Sequence, residues 1–291
     1  MKKSTLIRGI AGVILLVVFM LVMAFKGRCQ TMPYAADRPG MGYTPYLVGL
    51  NQIDYNVSVG HAYYAPSNCE MHNQFYMTNS FRYGAFKHLE LRIGVDVGAY
   101  TRENYSSGEL MSGVRALTVG VKIPIIRDVK WLPDIGILAQ TQLPDIGITP
   151  YTIANYIPSA SVLLQKQFGK FYAVGNVGVL WDALTGDGCY YMHPWSTDTY
   201  TQGSYSLAVG YYILDNVGIF FETYGYYSMH TEPLASCDFG LFVGITPELQ
   251  WDLSGGCNYK YGRDYSFINT GIAWRIPHNS NKHKQNNNDG K

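Results

Sequence analysis

The sequence predicts an all-β fold, a transmembrane antiparallel up-and-down β-barrel of about 12 strands. Three observations carry this expectation. The chain is 47% hydrophobic but only 15% charged, against about 25% charged residues in a typical soluble domain, yet its mean hydropathy is close to neutral. A helical membrane protein would be far more apolar, because each span needs roughly 20 apolar residues in a row, whereas a barrel strand turns one apolar face to lipid and a polar face inward. Apolar residues also recur with period two from about residue 50 to residue 276. The links between these segments alternate between short and long, as in barrels with short periplasmic turns and long external loops.

The amino terminus reads as a targeting segment. Lys2, Lys3 and Arg8 precede an apolar run from Ile10 to Phe25, followed by Lys26-Gly27-Arg28-Cys29-Gln30. A basic start, an apolar middle and small residues before a polar one describe a secretory signal peptide over residues 1–29, cleaved before Gln30. The run is also long enough for a retained membrane helix. Lipidation of Cys29 is disfavoured, because Lys26-Gly27-Arg28 stands where an apolar run with small residues is wanted. Export by this route points to the bacterial outer membrane, with membrane lipid and the barrel-insertion machinery as partners.

Residues 30–47 are expected to form an N-terminal periplasmic segment or plug ahead of a barrel over residues 48–277. The segment holds Asp37-Arg38-Pro39-Gly40. This motif reads either as a plug or gate folding into the barrel mouth, or as a turn stabilised by an Asp–Arg pair. The strands begin with Ile53-Tyr55-Val57-Val59, a weaker segment from Phe75 to Tyr83, and Leu89 to Ala99. Leu117-Val119-Val121-Ile123, Ile135-Ile137-Ala139 and Ala160-Val162-Leu164 follow, then Ala173 to Trp181, Tyr205 to Ile213 and Val217 to Tyr227. Phe239 to Ile245, Leu249 to Cys257 and Ile268 to Trp274 complete the set. Short links fall at 84–87, 127–130, 169–170, 214–216 and 246–248; long polar ones fall at 64–73, 101–110, 144–154, 182–203, 228–236 and 259–264. Strict alternation puts both chain ends on one side and demands an even strand count. A soluble β-sandwich, the rival fold, has no reason to sort its loops this way. Residues 278–291 are rich in Asn, Lys and His without periodicity and read as a disordered polar tail.

Strand parity selects candidate lumen residues. Leu89, Leu91, Ile93, Val95 and Val97 share one face, and Glu90, Arg92 and Asp96 share the other. Charges avoid the bilayer, so Glu90, Arg92, Asp96, Lys122 and Glu222 are the lumen-facing candidates. Charges of both signs on one wall either select solutes electrostatically or form a salt-bridged network that props and blocks the lumen. A barrel of about twelve strands lies between small, side-chain-filled barrels and open porins of roughly 16–18 strands. Trp181, Trp251 and Trp274 lie on lipid-facing parity.

Reactive constellations are mostly missing. Of five cysteines, one lies in the signal and none forms a CxxC or zinc spacing. Cys69 and Cys189 fall in long links. Cys237 and Cys257 lie equally far from Pro247 on two arms of one hairpin, where they form a disulfide or remain free thiols. The histidines 61, 72, 88, 193, 230, 278 and 283 avoid strand interiors, so the Ser/Thr–His pair of a barrel hydrolase is not supported. His278 and His283 lack a supporting thiol or carboxylate, and no metal site or cofactor is expected. Net charge is +1 with scattered Lys and Arg, giving no footprint for nucleic acid.

These residues resemble a known family. The stretches Asp37-Arg38-Pro39-Gly40, Gln52-Ile53-Asp54-Tyr55, Phe81-Arg82-Tyr83-Gly84 and Leu89-Glu90-Leu91-Arg92-Ile93-Gly94 are similar to bacterial proteins termed "MetA-pathway of phenol degradation, putative". So are Asp264-Tyr265 and Gly271-Ile272-Ala273-Trp274-Arg275-Ile276-Pro277. The resemblance covers nearly all of the mature chain and implies an outer-membrane, channel-like protein. The expected function is thus passive, non-enzymatic passage of a small-molecule solute. The rival is a non-transporting surface barrel that binds ligands through the link 182–203, with Tyr190, Tyr191, Trp195 and Tyr200.

Overall fold

The structure, a computed structural model, describes residues 36–38, 40–64, 71–102, 110–144, 146–147, 155–182, 200–227, 234–258 and 265–276. The signal segment, the tail, Pro39, Cys69, Cys189 and the aromatic link from 183 to 199 lie outside the described residues. Every regular element among those described is a strand. In chain order these are β1 Ile53–Tyr64, β2 Met71–Phe86, β3 Leu89–Arg102, β4 Leu110–Ile126, β5 Asp134–Gln142 and β6 Ile157–Phe168. They continue with β7 Phe171–Asp182, β8 Tyr200–Leu214, β9 Val217–Tyr227, β10 Leu234–Thr246, β11 Leu249–Asn258 and β12 Tyr265–Ile276. Each pairs antiparallel with its sequence neighbours, and β12 pairs with β1, so the twelve strands close into a barrel. Closure leaves no open strand edge, the condition for backbone amides to sit in hydrocarbon without unmet hydrogen bonds.

The five connections β2–β3, β4–β5, β6–β7, β8–β9 and β10–β11 gather at one end, the turn end, together with the start of β1 and the end of β12. Four are two-residue turns, and the β4–β5 link runs from 127 to 133. The remaining connections define the loop end. Outward side chains are apolar and exposed, including Phe75, Leu91, Ile93, Val177, Val209 and Phe239. Inward positions hold the buried polar set: Asp54, Arg82, Glu90, Lys122, Glu222 and Asp252 are each 0% exposed.

Three local departures from the sequence pattern have physical causes. Strand β4 runs well beyond the alternating stretch 117–123, because a bulge between Asp96 and Val97 of β3 shifts the register past Arg115 and breaks the two-residue period. Trp251 has lipid-facing parity but is only 4% exposed, unlike Trp274 at 43%. Its indole donates to the Thr270 hydroxyl at 2.9 Å and packs with Val217 and Val243 on the outer wall. Finally, part of the inward face is apolar. Leu138, Leu163, Val174, Phe220 and Phe242 are all buried, and the rings of Tyr172, Tyr212 and Phe242 meet in tilted and edge-on contacts with centroids 5.3–6.3 Å apart. On that side the barrel interior is a packed core rather than a watered wall.

Candidate functional site

The inward face of β2, β3 and β4 near the turn end concentrates charge. Arg82 of β2 and Arg92 of β3 are register partners, and Glu90 of β3 pairs with Lys122 of β4. Strand geometry forces these side chains into one volume, since partners across an antiparallel pair lie on the same face. Arg82 grips Glu90 with a two-pronged contact, 2.9 Å to each carboxylate oxygen. It also lies 3.7 Å from Asp54 of β1, which Arg275 of β12 contacts at 3.2 Å. The wall alone thus presents four cations, Arg82, Arg92, Lys122 and Arg275, to two carboxylates, Glu90 and Asp54, and is cation-rich.

A third carboxylate comes from the chain that precedes β1. Residues 36–38 and 40–48 lie inside the barrel, and Asp37 sits at the convergence of Arg82, Arg92 and Lys122. Its carboxylate is 2.5 Å from Arg92, 2.7 Å from the Lys122 ammonium and 3.5 Å from Arg82. Asp37 also accepts hydrogen bonds from the Thr44 amide and hydroxyl at 3.0 and 3.1 Å, which folds the segment back on itself. Burial alone would push this carboxyl up, but Arg82, Lys122 and Arg92 hold it well below the usual carboxylate range. Asp37 is therefore ionised and fully engaged.

The rest of the segment is anchored around the circumference. Arg38 makes a two-pronged contact with Asp252 of β11, at 3.1 and 2.8 Å. The Met41 amide donates to Glu222 of β9 at 2.6 Å. Tyr43 exchanges two hydrogen bonds with the Asn176 amide of β7, 2.6 Å from its own N–H and 2.9 Å to its carbonyl. Its ring lies under the Arg92 guanidinium, 4.8 Å to the centroid. The Tyr46 hydroxyl donates to Asp134 of β5 at 2.7 Å; burial and that bond push its phenol above the ordinary tyrosine range. The Tyr46 carbonyl accepts from Arg82 and Lys122, and the Val48 amide donates to Glu90 at 2.9 Å. Anchors on β2, β3, β4, β5, β7, β9 and β11 mean that the segment crosses the lumen rather than hugging one wall.

Two glycines make this path possible. Gly40 has φ +94°, a left-handed conformation that side chains disfavour, and a Cβ there would stand 2.4 Å from a Glu222 oxygen. A Cβ on Gly271 of β12 would meet the Arg38 guanidinium at 2.5 Å, so the arginine lies flat against bare backbone.

The structure places the residues singled out in the sequence as follows. Glu90, Arg92 and Lys122 join one cluster with Asp37. Glu222 stands apart and binds the segment backbone at Met41. Asp96, paired in register with Ala116, lies nearer the loop end, apart from the cluster, on the cavity lining that also holds Arg115. Asp37 and Arg38 do not pair with each other, because each meets an opposite charge on the wall, so the motif is not a self-paired turn. Cys237 and Cys257 are register partners on β10 and β11, and both are free thiols. Arg82, Asp252, Asn176 and Asp134 were not among the lumen candidates; their inward parity was readable, but Asp252, Asn176 and Asp134 find their partners in a segment without periodicity.

Above the segment, toward the loop end, lies a cavity of about 500 Å³. Asp37, Arg38, Met41 and Tyr43 form its floor, and inward residues of the surrounding strands form its walls.

Comparisons with known proteins fit this architecture. No family model and no curated protein matches the chain. Among solved structures, an outer membrane channel from Pseudomonas putida F1 superposes with a TM-score of 0.59 at 11% identity, covering 79% of this chain and 97% of that one. The NanC porin superposes with a TM-score of 0.52 at 13% identity, covering 76% of this chain and all of its own. At such identities the likeness establishes a shared barrel fold.

Proposed function

We propose that the chain is an outer-membrane channel that passes a small solute passively, closed at its turn end by residues 36–48. The observation that carries this reading is the layering of the interior: a cavity toward the loop end, over a floor held by noncovalent contacts. A floor of this kind can leave without breaking the barrel, because none of the wall's strand pairings runs through it. The apolar outer face suits membrane lipid. Export with loss of residues 1–29, insertion by the barrel-insertion machinery and membership of the MetA-pathway family complete the reading.

In this mechanism Asp37 is the latch. It offsets part of the cation excess of this wall, and the wall satisfies Asp37. Glu90 serves both partners, binding Arg82 on the wall and the Val48 amide on the segment. Solute passage requires these contacts to exchange for water or counter-ions.

The test is ion conductance in planar bilayers. The intact mature protein is expected to conduct rarely, and a form lacking residues 30–47 to conduct often. A folded barrel that conducts in neither form overturns the channel and leaves a non-transporting surface barrel.

A further inference from the structure

The cavity above the segment has a composition that narrows its ligand. Its volume of about 500 Å³ lies within the range of small-molecule sites, roughly 300–1,000 Å³. The lining residues include no Leu, Ile or Val; Met41 is the aliphatic side chain among them. A hydrocarbon chain would find little aliphatic surface to bury against. Neutral groups dominate instead. Asn56, Gln74, Gln140, Asn258 and Asn269 bring carboxamides, each able to donate and accept, and Tyr76, Tyr224, Tyr226, Tyr265 and Phe267 bring aromatic faces.

Two of the three cations on the lining are held in ion pairs, Arg38 by Asp252 and Arg92 by Asp37, and the third, Arg115, shares the lining with Asp96. An ionic solute would have to break one of these pairs and leave a charge uncompensated. A neutral solute would not. One acceptor also stands ready: the Asn56 side-chain oxygen is buried, with Asn56 only 4% exposed, and has no hydrogen-bond partner among the described residues. Buried acceptors of this kind are rare and call for a donor.

We propose that this cavity binds a neutral, polyhydroxylated ring, a solute of the mono- or disaccharide class. Sugar hydroxyls both donate and accept, which matches carboxamides better than either charged head. The C–H faces of a pyranose carry slight positive charge and suit the negative faces of Tyr76 and its neighbours. Asn56 accepts from one hydroxyl. Binding stands on the cavity itself; that the bound solute is also the one transported rests on the channel reading.

The experiment is titration calorimetry on the intact barrel in an amine-oxide detergent, which carries no sugar. Four ring probes of similar size are compared: methyl glucoside, glucuronate, glucosamine and benzyl alcohol. Methyl glucoside is expected to bind saturably, with the other three at least about 10-fold weaker. Asn56→Leu and Tyr76→Ala are each expected to weaken it by about 5- to 10-fold, the loss of one net contact. Both variants should keep heat-modifiable gel mobility. Absence of saturable methyl glucoside binding overturns the proposal. So does equal or tighter binding of any other probe, or unchanged affinity in both folded variants. Conductance of the form lacking residues 30–47 separates the two readings. Sugar binding without conductance in that form sinks the channel and leaves the site, whereas conductance without sugar binding in the intact barrel does the reverse.

Discussion

Replacing Asp37 with Asn should unlatch the segment while leaving the barrel standing. The substitution keeps the side chain's shape and its ability to accept from Thr44, but removes the charge that lies 2.5–3.5 Å from Arg92, Lys122 and Arg82. Removing one partner of a buried pair costs roughly 3–5 kcal/mol, because the other charge is left uncompensated. Here the low end applies, since undocking lets water reach the cations. About 3 kcal/mol at 1.4 kcal/mol per decade is roughly a 100-fold rise in the undocked population. Single-channel recording in planar bilayers reads that rise as open probability. Ion selectivity should shift as well, because Arg82, Arg92, Lys122 and Arg275 then face only Glu90 and Asp54 while Asp252 loses Arg38. Adding Lys122→Met should restore part of the closure by removing the orphaned cation, with a coupling of about 0.5–3 kcal/mol. A folded Asp37→Asn barrel with wild-type open probability and selectivity would refute the latch.

The other expectations are simpler to read. Gly40→Ala places a side chain at φ +94° and against Glu222, costing about 1–2 kcal/mol of docking, so open probability should rise about 10-fold; an unchanged value would show that the segment tolerates another path. Ile93→Arg puts a charge on an outward position 49% exposed, at a cost of roughly 2–4 kcal/mol in lipid; slower insertion and loss of heat-modifiable mobility are expected, and normal folding would contradict the assigned parity. Cys237 and Cys257, opposed in register, should join when the folded barrel is treated with oxidised glutathione, the disulfide that accepts their electrons. Mass spectrometry of unreduced peptides would find the linked pair, and recovery of both as alkylated thiols after that treatment rejects it.

Much of the barrel was legible in the sequence because a strand's information is local. Alternation in Leu89–Ala99 names both faces within eleven residues, and link lengths sort the two ends. The inward parity of Glu90, Arg92, Lys122 and Glu222 follows from the same rule. Three kinds of feature were not legible. Bulges such as the one at Arg115 shift register without any compositional mark. Inward apolar residues such as Leu138 and Leu163 look like noise in a polar face until the packed interior is known. Most of all, partner choice was hidden. Parity says that Arg92 points inward, but not that its partner is Asp37, a residue 55 positions away in a segment without periodicity. The Asp37-Arg38 dipeptide even suggests the wrong pair, because adjacency in sequence is a poor guide once each side chain has an opposite charge on a different wall.

Latch and cavity are not independent, because Arg92 belongs to both. In the closed state its guanidinium is held by Asp37 and covers the Tyr43 ring, so it offers no free charge to a solute above. If Asp37 loses its charge, that guanidinium becomes available on the cavity wall. An acidic ring that the closed barrel rejects would then gain a partner without any new residue. The Asp37→Asn variant should therefore bind glucuronate more tightly than the wild type, by a factor on the order of 10 for one exposed charge-assisted hydrogen bond. Methyl glucoside affinity should change little, because Asn56 and the aromatic walls are untouched. Calorimetry with both probes on both proteins gives the answer. If the two affinities move together, the cavity is responding to general loosening of the floor. If only glucuronate gains, the charge pairing that closes the channel is also what sets the cavity's preference for neutral rings.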